Sequence, residues 1–164
     1  MTATEPGADW SAGSNEVAHF LAHAVALERE AARRYEELAA TMATEGNREL
    51  RDFFARMAHF SRLHLAQAAA RGGFRSLPQL GPDEYEWPEG VAPETAAWAG
   101  VDAQMSPRAA LELALQGERG GLAYYAAIAQ TTTDAELRAI ASEFADEEAQ
   151  HVAELEKLVQ ACAA

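Results

Sequence analysis

At 164 residues and 49% hydrophobic content, the chain has the size and composition of one ordinary domain with a sizeable core. A net charge of −13 and an isoelectric point near 4.7 set it against nucleic acid and anionic membrane, both of which would repel it. No apolar run approaches the ~20 residues of a membrane helix, residues 1–13 lack a signal pattern, and Cys162 is the single cysteine; the expectation is a soluble cytoplasmic protein without an intramolecular disulfide or a four-cysteine metal site.

The first 13 residues, rich in Gly, Ala and Thr with a lone Trp10, read as a flexible tail, which leaves 14–164 for the folded domain. From about Asn15 to Thr44 the stripe Leu21, Ala24, Val25, Ala31, Tyr35, Leu38 and Met42 has helical period, and Glu28 falls inside it. A core-facing glutamate needs a partner. Gly46 and Asn47 give a stop and a new N-cap, and a second helix runs to about Arg71 with Leu50, Phe53, Phe54, Met57, Phe60, Ser61, His64 and Ala68 toward the core. Residues 72–105 then collapse into Pro, Gly, Asp and Glu, a length that spans an architecture or serves a site. Ser106-Pro107 opens a third helix reaching about Thr131. Thr133-Asp134-Ala135-Glu136 reads as a capping box opening a fourth, which ends near Gln160.

The pattern predicts an all-α bundle of two helical hairpins joined by one long crossover between helices 2 and 3, which lets those two run parallel. Inside helix 4, Glu148 and His151 form a Glu-x-x-His pair. Three residues turn the helix by about 300°, so carboxylate and imidazole project from one face and can grip one metal ion. Twenty glutamates and five histidines give about 0.6 such pairs by chance, and Glu16 with His19 is a second copy, so the pair alone decides little.

An internal repeat decides more. Residues 17–68 echo 107–155: Glu28 is followed seven residues later by Tyr35, and Glu118 seven residues later by Tyr125. In the same alignment His64 matches His151, while Ser61 stands opposite Glu148. Each of Glu28, His64, Glu118 and Glu148 lies roughly 14 to 17 residues from its hairpin turn, so at ~1.5 Å per residue all stand at similar depth and can converge on one point.

With these residues the chain resembles the ferritin-like superfamily, and within it the helical domain of rubrerythrins, over about 130 residues. The resemblance implies a ferritin-like four-helix bundle in which carboxylates and histidines hold two iron ions that react with oxygen or peroxide. It also implies an external electron donor and a homodimer. Carried onto this chain, the metal ligands are Glu28, His64, Glu118, Glu148 and His151, with iron as the metal, one or two ions, and manganese or zinc as substitutes. The chain departs from that pattern in two places: Ser61 occupies the glutamate position of a helix 2 Glu-x-x-His, and Gly121 stands where rubrerythrins carry a further carboxylate. Cysteines for a rubredoxin-like part are absent, as is a fifth helix of the cage-ferritin kind.

The leading reading is therefore a non-haem iron oxidoreductase acting on oxygen or peroxide. A metal-binding protein without turnover, holding zinc or a single ion, is the alternative, and a structural bundle with carboxylates paired to buried arginines is another. Tyr35 and Tyr125 read as core aromatics with polar tips, His59 as a rim residue, and Glu16, His19 and His23 as a solvated face that could otherwise be a second site. Gly117, Gly120 and Gly121 around Glu118 indicate either close helix packing or a π-bulge beside a pocket.

Overall fold

The computed structural model describes residues 10–73, 76–87 and 105–162. These form four long helices and no strand: α1 (Trp10–Thr44), α2 (Arg48–Arg71), α3 (Pro107–Thr131) and α4 (Ala135–Ala161), with a single 3-10 turn at Pro82–Glu84. Residues 1–9 of the expected tail, and 74–75 with 88–104 of the crossover, lie outside the described residues. The expected start at Asn15 is corrected, because α1 reaches back to Trp10. No proline interrupts residues 10–16, so the helix nucleated by the packed stretch beyond Val17 propagates backward at little cost.

The hairpin between α1 and α2 is built from local hydrogen bonds. Gly46 adopts φ +75°, its N–H donates to the Ala43 carbonyl at 3.1 Å, and the Asn47 N–H donates to the Met42 carbonyl at 2.9 Å. This is a Schellman closure, which needs a left-handed residue at that place. Asn47 then caps α2, its Oδ1 accepting from the Leu50 N–H at 3.0 Å. At the second hairpin the cap of α4 is Asp134, which accepts from the Leu137 N–H at 2.8 Å, while Thr132 Oγ1 accepts from the Asp134 N–H. The expected capping box on Thr133 is thus displaced by one residue, a charged acceptor serving the helix N-terminus better than a hydroxyl.

Two apolar clusters fix the topology. One joins Tyr35, Leu38 and Met42 of α1, Leu50, Phe53, Phe54 and Met57 of α2, Ala110, Leu111, Ala114 and Leu115 of α3, and Leu155 of α4. The other joins Val17, Phe20, Leu21, Ala24 and Leu27 of α1 to Ala68 of α2, Tyr125 of α3, and Leu137, Ile140, Ala141 and Phe144 of α4. The end of α1 and the start of α2 therefore share a level with the start of α3 and the end of α4. Helices α1 and α4 run one way, α2 and α3 the other, and the connection between α2 and α3 must traverse the length of the bundle.

The described part of that connection begins its course on the bundle as a strap across α1 and α3. His23 of α1 is buried and both ring nitrogens are engaged, Nδ1 2.9 Å from the His19 carbonyl and Nε2 accepting from the Glu86 N–H at 3.1 Å. The Tyr85 and Trp87 rings lie 5.1 and 4.9 Å from the His23 ring, edge to face. Phe60, expected in the core, is instead 41% exposed. It sits on the flank of α2 next to buried Ser61 and rests its ring against His151, 6.1 Å between centroids.

Because a Cβ at position 46 meets nothing within 4 Å, Gly46→Ala carries only the conformational cost of a left-handed alanine. Urea unfolding is expected to show a loss of about 1 kcal/mol, with Gly46→Asn losing less.

Candidate metal centre

Between the two apolar clusters lies a polar waist. Glu28 of α1, Glu118 of α3 and Glu148 of α4 are each at most 3% exposed, and His64 of α2 and His151 of α4 are partly buried beside them. All five residues singled out from the sequence meet here. The donor atoms of Glu28, His64 and Glu148 lie within 4.8 Å of one another, and so do those of Glu118, Glu148 and His151. Glu148 belongs to both groups. The set can hold two cations, each offered two carboxylates and one imidazole, with Glu148 between them.

The two imidazoles, matched in the repeat, stand nearly parallel, centroids 5.5 Å apart with a 17° interplanar angle. His151 Nδ1 is 3.3 Å from Glu118 Oε2 and 3.7 Å from Glu148 Oε2. His64 Nδ1 is 3.8 Å from Glu28 Oε1, and its Nε2 lies 3.2 Å from Glu147 Oε2. The Glu147 carboxylate thus stands beside Nε2 of His64, while Nδ1 lies on the side of Glu28. Glu147 escaped the sequence reading. Its position one residue before Glu148 turns it by about 100° toward α2, a signal legible only once His64 is known to face it.

Hydroxyl groups complete the surround in a crossed pattern. Tyr35 of α1 donates to Glu118 Oε1 on α3, and the Tyr125 hydroxyl of α3 faces Glu28 on α1. Ser61 is buried with its hydroxyl also acting on Glu28, so the residue in the missing glutamate's place does point at the cluster. Serine is too short and neutral to join two cations. The tyrosines are core aromatics as read, and their spacing after each glutamate was the trace of these links.

Charge in the waist is divided unevenly. Burial pushes the Glu28 carboxyl well above the usual carboxylate range, the charges of Glu118 and Glu147 add to the push, and the Ser61 and Tyr125 hydroxyls pull against it. Burial acts on Glu118 in the same sense, but contacts from Glu148, His151 and Tyr35 outweigh it and hold that carboxyl below its ordinary value. His151 is raised because Glu118 overcomes the effect of burial, whereas His64 is lowered, burial prevailing over the attraction of Glu147. Without metal the waist thus favours a protonated Glu28 beside a Glu118–His151 ion pair. Divalent cations would replace those protons.

Other candidates from the sequence do not join the centre. His59 is exposed. Glu16 is exposed and both nitrogens of His23 are committed, so the second Glu-x-x-His has no matching set of donors. Helix α3 is α-helical through Gly117, Gly120 and Gly121, with Gly117 and Gly121 buried, which favours close packing over a bulge.

Because the folded state raises Glu28, the stability it contributes is complete below the ordinary carboxylate value of 4.5 and is lost as pH climbs through the raised value. Metal-free wild type is expected to lose stability relative to Glu28→Gln as pH rises from 4.5 toward neutrality. A thermal-unfolding series of both proteins checks this; a difference that does not change with pH contradicts it.

The rubrerythrin family model matches residues 19–89, the stretch that carries Glu28 and His64. Among curated proteins none matches the chain. An uncharacterised conserved protein from Magnetospirillum magnetotacticum MS-1, known as a crystal structure, is 37% identical and superposes with a TM-score of 0.74, the match covering 90% of this chain and 95% of that one. That match extends the likeness from the first half of the chain to most of it. With four helices in ferritin-like order and a glutamate and histidine waist at mid-depth, the chain belongs to the rubrerythrin-like family of ferritin-like proteins.

Proposed function

We propose that this protein is a non-haem di-iron carboxylate oxidoreductase that reduces peroxide or oxygen with electrons from an external donor. The observation that carries the proposal is the sharing of Glu148 between two three-residue donor groups, since one carboxylate between two cations is the arrangement a dinuclear centre requires. Glu28 and His64 would hold one ion, Glu118 and His151 the other, and bound iron would supply the redox chemistry. Within the waist, the Glu147 carboxylate would steady the His64 ring electrostatically and Tyr35 would orient Glu118.

Ser61 supports a second reading, a centre that retains zinc or one ion without turnover. Two divalent cations bring a charge of +4 to three buried glutamates, so the second ion would bind weakly or with an added anion. Among the described residues no helix is long and apolar enough to cross a membrane. A cytoplasmic setting and a homodimer complete the proposal, the latter supported by Phe60 and Leu63, 41% and 44% exposed on α2.

Anaerobic Fe(II) titration with metal analysis of the washed protein tests the centre, and peroxide consumption by the ferrous protein tests turnover. A stoichiometry near two with consumption supports the first reading, near one without consumption the second, and zero sinks both. Glu148→Ala and His151→Ala are expected to abolish or greatly weaken retention while His19→Ala leaves it intact. At Fe(II) about 100 times the dissociation constant, wild type gains ~2.7 kcal/mol of stability and Glu148→Ala does not. Equal thermal shifts would show the ligands to be wrongly assigned. Ser61→Glu restores a helix 2 Glu-x-x-His and is expected to raise iron stoichiometry toward two; unchanged iron content in a folded variant would argue that another ligand already holds the second ion.

A further inference from the structure

Beyond the waist, the oxidisable side chains are arranged in a connected series. Tyr125, whose hydroxyl faces Glu28, has its ring 5.4 Å from that of Tyr124. Tyr124 lies 5.4 Å from Trp87, and Trp87 lies 5.6 Å from Tyr85 with the two rings 4° from parallel. Tyr125 is fully buried, while Tyr124, Trp87 and Tyr85 are half-buried, so the series runs from the glutamate cluster to the edge of the strap. The other tyrosine of the waist has a different neighbourhood. Tyr35 stacks on Phe54 at 6.2 Å, and Phe54 meets Phe53 at 5.4 Å, rings far harder to oxidise than phenol or indole.

We propose that Tyr125, Tyr124, Trp87 and Tyr85 form a one-electron path between the candidate metal centre and solvent. The inference rests on the redox reading of that centre and adds the route by which reducing equivalents reach it. With iron bound, Tyr125 would yield one electron toward the centre while its phenolic proton shifts toward the Glu28 carboxylate it faces and remains in that contact. An electron from the Trp87 indole, relayed across the Tyr124 ring, refills Tyr125, which takes back its proton. The oxidised indole is then reduced at the surface by a small one-electron donor of the ascorbate class. Two passages deliver the two electrons that, with two protons from solvent, convert one peroxide into two waters and two donor molecules into their one-electron oxidised forms.

The geometry accounts for details that packing alone does not require. Three of the four rings belong to residues that could equally pack as phenylalanine or leucine, yet each can carry a hole. The strap is held against α1 by the Glu86 N–H on His23, which fixes Trp87 at contact distance from Tyr124. Without that anchor the series would end at Tyr124.

The test uses the full chain loaded with Fe(II), freed of loose metal, and treated with hydrogen peroxide in the absence of reductant. Peptide mass spectrometry then reads oxygen addition at each of the three tryptophans, and iron content is measured on the same samples. Trp87 is expected to be oxidised several-fold more than Trp10 or Trp98, ascorbate to suppress that product, and Tyr125→Phe to remove most of it while retaining iron. Iron-loaded wild type in which Trp87 is no more oxidised than the other two would overturn the path while leaving the metal reading intact, as would an unaffected Tyr125→Phe. A wild type that retains no iron defeats the metal reading, and the path with it.

Discussion

Three glutamates in the interior of a helical bundle are the constraint around which the remainder of this protein is arranged. An isolated buried carboxylate is costly, and three within contact of one another repel as well as losing hydration. The chain answers with two imidazoles, two tyrosine hydroxyls and a serine hydroxyl, all at one level, while burial raises the Glu28 carboxyl. That answer can hold only if the backbone is held firmly. Two apolar clusters above and below the waist supply that rigidity, each drawing side chains from all four helices.

Much of this was legible from residue order. Helical period, the Gly46-Asn47 and Ser106-Pro107 signals, and the length of the crossover gave four helices and the parallel relation of α2 to α3. The repeat brought Glu28, His64, Glu118, Glu148 and His151 to one depth, and they meet there. What was not legible depended on direction within a face. Phe60 and Ser61 are neighbours in sequence and both were expected toward the core, yet the serine is buried and the phenylalanine lies on the flank against His151. Glu147 shows the same limit, since period assigns it to a wet surface and the fold places an imidazole within 3.2 Å of it. The cap of α4 and the start of α1 moved by a few residues because short-range hydrogen bonding, not burial, sets helix ends.

The strap shows how a segment without regular structure can be specific. Its backbone N–H at Glu86 finds the one acceptor His23 has to offer, because the other ring nitrogen is already turned to the His19 carbonyl. The aromatic side chains on either side of Glu86 then close over the same imidazole. A histidine that looked like half of a surface metal site thus acts as an anchor for the described part of the connection between α2 and α3. Its neutral form is the one that can accept, and burial favours that form.

The crossed tyrosines have a consequence for how such a molecule can have arisen. Tyr35 reaches from the first hairpin to the glutamate of the second, and Tyr125 reaches back from the second to the glutamate of the first. Each of these two glutamates thus draws a tyrosine hydroxyl from the opposite hairpin, besides Ser61 for Glu28 and His151 for Glu118 from its own. A single hairpin carrying a glutamate and a tyrosine seven residues later would make the same reciprocal contacts with an identical copy across a two-fold axis, and a duplicated gene would then need only a connecting strap to fuse the pair. Ser61 opposite Glu148 marks one place where the two halves of the repeat are unlike.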